Sequence, residues 1–63
     1  MKFQPGQDVM VDVFGMEHHG EVLWQSRGWT MCVIATDPLA EYPAVLDPRT
    51  TVCVPDARVR SLS

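Results

Sequence analysis

The chain has 63 residues, 46% of them hydrophobic, with five Lys and Arg against eight Asp and Glu, a formal charge of −3 and a pI near 5.0. A chain this short buries only about 60% of the surface its unfolded form exposes, which leaves room for one domain, residues 1–63, and none for a second core. Nucleic-acid affinity rests on neutralising phosphate, so an acidic chain with no basic cluster starts at a disadvantage there.

The opening "MKFQPGQ" is broken by Pro5 and Gly6 before the apolar run of a secretory signal forms. The longest later apolar stretch, "MCVIA", is far short of the ~20 residues that span a bilayer. These features point to a cytoplasmic chain without a membrane partner, in which Cys32 and Cys53 stay reduced.

Alternation then sets the elements. "DVMVDVF", residues 8–14, puts Val9, Val11 and Val13 on one face and Met10, Asp12 and Phe14 on the other, as a half-buried strand does. The valines take the inner face because burying Asp12 unpaired is costly. "MEHHGEV", residues 16–22, reads as a hairpin loop, and "GEVLW" then continues as a strand with Val22 and Trp24 on one side, Glu21 and Leu23 on the other. "SRG", residues 26–28, is a tight turn in which Gly28 supplies a positive φ. "WTMCVIA" is apolar on both faces, the pattern of a central strand covered on each side.

Residues 36–50, "TDPLAEYPAVLDPRT", form a long connection between the third and fourth strands, with "EYPAVL" extended along an edge. "TTVCV" is the fourth strand, with Val52 and Val54 inward and Cys53 outward; "PDAR" is a short turn and "VRSL" the last strand. The five prolines leave no space for a long helix after Asp37. Five short strands separated by turns predict an all-β small barrel.

"PGQDVMV", then "GEVL", a central apolar strand and "VCVPDARVRSL" together resemble the small SH3-like barrels, a superfamily that includes Tudor, KOW and chromo-barrel modules. The resemblance runs from Phe3 to Leu62 and implies a five-stranded SH3-like barrel with a long loop between strands three and four. Among such barrels the plasmid-type dihydrofolate reductase subunit is similar in length, in its F-x-x-G opening and in a late strand followed by proline. That family works as a tetramer around a shared pore, using a Val-Gln-Ile-Tyr segment. Here the stretch is Val52-Cys53-Val54-Pro55, so the resemblance does not extend to reductase catalysis but keeps self-assembly open.

The chemistry-bearing residues are few. Adjacent strand residues point to opposite faces, so one metal ion does not take both His18 and His19, and no Cys-x-x-Cys pair supports a metal site. The two histidines belong to a solvated hairpin or to a pH-responsive binding contact. Cys32 and Cys53 lie on neighbouring strands, as two free thiols or as a disulfide; neither has a base at fixed spacing that would make it a nucleophile. No two carboxylates are held at catalytic separation, and phosphate-binding glycine loops are absent.

Trp24 and Trp29 flank one short turn, and Tyr42 reaches them from the long loop. They are either core and edge cover or apolar anchors for a docked chain. The sequence therefore predicts a non-catalytic accessory or regulatory module without cofactor or metal. It docks a protein partner through Trp24, Trp29, Tyr42, His18, His19 and Arg27. Two further readings stand beside it. One is nucleic-acid binding through Arg27, Arg49, Arg58 and Arg60; the other is a homo-oligomer, including an enzyme whose site is shared between subunits.

Overall fold

Valine alternating with polar residues drives the first strand, β1 (Asp8–Val13), in which Val9 and Val11 are fully buried and Asp8 is exposed. In this computed structural model, which describes residues 3–37 and 48–62, β1 is followed by β2 (Met16–Ser26), β3 (Trp29–Ala35), β4 (Arg49–Pro55), a 3₁₀ turn (Asp56–Arg58) and β5 (Val59–Ser61). The strands form one antiparallel sheet in the order β4-β3-β2-β1-β5, and among the described residues the sheet is not closed. Among them, too, no helix is long and apolar enough to cross a membrane.

Eleven residues long, β2 is shared by both halves of the sheet. Met16–Glu21 pair with β1 and Gly20–Ser26 with β3, so Gly20 lies between Val9 and Ile34. A Cβ on Gly20 would come within 2.6 Å of the Val33 carbonyl oxygen and 2.7 Å of Ile34 Cγ2, so only glycine permits that approach. Gly6 and Gln7 add to the same region, the Gly6 N–H donating to Val22 O at 2.8 Å and the Val22 N–H donating to Gln7 O at 3.0 Å.

The inner face carries the core. Phe3, Val9, Val11, Val22, Cys32, Ile34 and Val59 form one buried cluster, against which Val13, Val52 and Val54 pack with partial cover. Fully burying a Val, Ile or Phe contributes roughly 1.5–3 kcal/mol. The inward direction expected for Val9, Val11, Val22, Val52 and Val54 is met, as is the short turn at "PDAR", which is a 3₁₀ turn. Arg27 and Gly28 have φ of 54° and 83°, the pair of positive values that a two-residue hairpin turn of the I′ type requires.

Three expectations need correction. The histidine pair is not in a loop: the hairpin turns at Phe14 and Gly15 (φ 52° and 86°), and Met16–Gly20 are already in β2. The cause is local, because Asp12 Oδ1 accepts the Gly15 N–H at 2.8 Å and closes the turn early. Second, Trp24 does not share a face with Val22. The register shifts between Val22 and Trp24, leaving Leu23 as an extra residue, so Trp24 pairs with Met31 on the outer face. Third, the middle strand is β2; β3 lies between it and the edge strand β4, and its outer face is not covered by any described element: Trp29 is exposed and Met31 and Val33 are half-buried.

The Thr36 N–H donates to Pro48 O at 3.1 Å, closing the base of the connection between β3 and β4. The expectation for "EYPAVL" lies outside the described residues.

Candidate functional site

The bulge at Leu23 decides which side chains meet. Beyond it Trp24, Met31 and Cys53 align across β2, β3 and β4, and the next row on the same face is Ser26, Trp29 and Pro55. No charged residue stands in either row. Trp24 is 43% and Trp29 49% exposed, with Leu23 and Cys53 also exposed beside them. The two tryptophans thus form an apolar face at the β2–β3 end of the sheet.

The same shift turns Gln25 inward beside Thr30, which shares the inner face of β3 with Cys32 and Ile34, and the two hold the 3₁₀ turn. Gln25 Nε2 donates to Asp56 Oδ2 and Thr30 Oγ1 to Asp56 Oδ1, both at 2.6 Å, while the Asp56 N–H donates to Gly28 O at 2.9 Å. Thr30 is completely buried, so its hydroxyl depends on that carboxylate. The tryptophans therefore sit on a hairpin that is tied down at its tip.

The other candidates are dispersed. His18 faces the core, 9% exposed, and its Nδ1–H donates to Ala35 O at 2.8 Å; a carbonyl can only accept, so Nδ1 carries the proton. His18 is thereby a structural group that caps the end of β3. His19 is half-buried on the opposite face, across from Met10. Arg27 is exposed in the turn between the tryptophan strands. Tyr42 lies outside the described residues.

The arginines do not form one stripe. Arg27 and Arg58 lie toward the hairpin end, Arg49 pairs with Ala35 at the far end of β4, and Arg60 is across the sheet, opposite Met10. Arg60 engages Glu17 in a bidentate ion pair, Nε–Oε2 at 2.7 Å and Nη2–Oε1 at 3.0 Å. That contact holds the Glu17 carboxyl below its ordinary value of 4.5 and raises the guanidinium.

Cys32 and Cys53 are both free. Cys32 pairs with Val52 and Cys53 with Met31, so the two sulfurs leave opposite faces of the sheet, which is incompatible with a bridge. Burial, reinforced by the neighbouring Cys53, pushes the Cys32 thiol up to about 11. A thiol held protonated in this way is not a nucleophile.

Two features escaped the sequence. Trp24 joins Trp29, Met31 and Cys53 on the outer face only because of the bulge. Phe14, 96% exposed at a positive φ, presents an entire aromatic ring at the opposite hairpin tip. Its signal was the "FG" pair between two alternating segments, a turn position that ordinarily holds Asn or Asp.

No known protein family matches the chain, and no curated protein or solved structure resembles it at a significant level.

Proposed function

We propose that this chain is a small, non-catalytic interaction module of SH3-like architecture that docks a partner protein on the outer face carrying Trp24 and Trp29. The architectural part is supported by the strand order, by β2 serving both halves of the sheet and by the 3₁₀ turn before the last strand. The functional part rests on one observation: two half-exposed tryptophans share an uncharged face with Met31 and Cys53, on a hairpin tied down by Asp56.

Leaving roughly 100 Å² of each indole in water forgoes about 5 kcal/mol of burial across the pair, a reserve that a docked segment recovers before the costs of association. Tryptophan is also enriched at the energetic centres of protein interfaces.

Paired substitutions test the reading. Trp24→Ala and Trp29→Ala are expected to leave thermal stability close to that of the parent protein. Both should abolish capture of a cellular partner that the parent retains. A variant that unfolds makes the residue core, and a capture pattern identical to the parent's removes this face from the function. A mobility-shift titration separates the nucleic-acid reading, because phosphate binding weakens steeply with salt.

A further inference from the structure

We infer that two copies of the chain pair through the exposed edge of β4, antiparallel about a two-fold axis at Val52, to make one continuous sheet. The inference concerns an edge rather than the tryptophan face and does not depend on the function proposed above.

Among the described residues, strand β4 has a neighbour on one side only, β3. Proteins ordinarily blunt such an edge with a lysine, a bulge, a mid-strand proline or a very short strand. β4 uses none of these. It runs seven residues, its register with β3 is continuous from Arg49 to Pro55, and Thr50–Val54 carry no charge. The opposite edge, β5, is three residues long and bears Arg60 with its ion pair to Glu17.

Burial points the same way. No residue of β4 is buried, although Val52 and Val54 belong to the inner face. They pack against the core from one side, and a strand laid along the edge covers the other.

The strand is complementary to itself. Centred on Val52, antiparallel pairing sets Thr51 against Cys53 of the second copy, Thr50 against Val54 and Arg49 against Pro55. Each pair joins residues of like face, so inner side chains meet inner and outer meet outer, and no charge is set against a like charge. Four of the eight acidic residues, Asp8, Asp12, Glu17 and Glu21, lie on β1 and β2, at least two strands away, and the Asp56 carboxylate beside the end of β4 is engaged by Gln25 and Thr30. A seven-residue edge is about 23 Å long, an interface at the small end of the stable range, so the dimer is concentration-dependent. Because the axis runs perpendicular to the sheet, both tryptophan faces look to the same side, and a partner meets two anchors at once.

Sedimentation equilibrium over a wide range of loading concentrations provides the test. The mass is expected to rise from 7.1 kDa towards twice that value. Thr51→Lys, on an exposed outer position that does not touch the core, should hold the chain at the single mass while its circular-dichroism spectrum stays that of the parent. Thr51→Cys places a thiol across from Cys53 of the second copy and should yield a covalent dimer on air oxidation, where the parent yields none. A single mass at every loading overturns the proposal, including the case where a strand of another protein occupies the edge. A dimer that survives Thr51→Lys and does not cross-link overturns it equally.

Discussion

The two sides of this sheet are finished in opposite ways. On the β1–β5 side the outer face carries Asp8, Asp12 and Glu17, the edge strand is three residues long, and Arg60 is clamped to Glu17. On the β3–β4 side the outer face carries Trp24, Trp29, Met31 and Cys53, and the edge strand runs seven residues without charge between its ends. A core this small cannot stabilise both sides independently, since a 63-residue domain has about 3–9 kcal/mol in total. The charged side is built to stay in water. The apolar side leaves Trp24 and Trp29 half exposed.

Gly20 is where the two sides join, and the largest effect is expected there. Its partners are Val9 on the charged side and Ile34 on the apolar side, and an added Cβ meets backbone at 2.6 Å. Gly20→Ala should cost at least about 3 kcal/mol, comparable with the whole stability of the domain, and abolish a cooperative thermal transition. A variant that melts as sharply as the parent would mean that the two sides are not coupled through this position.

Next comes the clamp beneath the apolar side. Asp56→Ala removes both acceptors at 2.6 Å and strands the buried Thr30 hydroxyl, a loss of about 2 kcal/mol and about 10 °C in Tm for a domain of this size. Asp56→Asn, which retains one oxygen for Thr30, should recover part of it. Equal melting of Asp56→Ala and the parent would show that the hairpin is held by packing alone.

Much of this organisation is legible in the sequence, and the gaps have physical causes. Val9, Val11, Val22, Val52 and Val54 declare the inner face because a strand exposes every second residue. The bulge at Leu23 has no such mark: one inserted residue inverts the alternation, moves Trp24 outward and turns Gln25 inward, with no change in residue type to announce it. The histidine pair falls in β2 rather than in a loop because Phe14 occupies a turn position where Asn or Gly is usual, and the hairpin closes several residues early. Asp56 reads as an ordinary turn residue, and only the folded hairpin brings Gln25 and Thr30 to it.

The cysteines sharpen the contrast between inner and outer face within the apolar side. One thiol, that of the exposed Cys53, should react with a thiol reagent in the native protein, and Cys32 only after denaturation. Because the folded Cys32 is raised from 9.0 to about 11, the unfolded chain ionises first on the alkaline side. Stability is full below pH 9 and falls as pH rises from about 9 to 11. Cys32→Ala should remove that alkaline loss from the unfolding profile. Two thiols reacting at one rate would contradict the assignment of faces.

The smallest effect belongs to the charged side, and its sign is fixed by the ion pair. Arg60 lowers Glu17 in the folded state below 4.5, so the contribution is present above pH 4.5 and disappears as the carboxylate protonates in the more acidic range below it. Both side chains are largely in water, at 59% and 43% exposure, so screening keeps the benefit slight and added salt erodes it. Its use is positional: the bidentate contact fixes the three-residue β5 against the start of β2 and occupies the arginine that an approaching strand or phosphate would otherwise meet. In an NMR titration the Glu17 carboxyl should return to its ordinary value in Arg60→Gln, with the midpoint of acid unfolding moving only slightly. If Glu17 titrates at that ordinary value in the parent protein, the pair does not form in solution, and the charged edge must owe its protection to shortness alone.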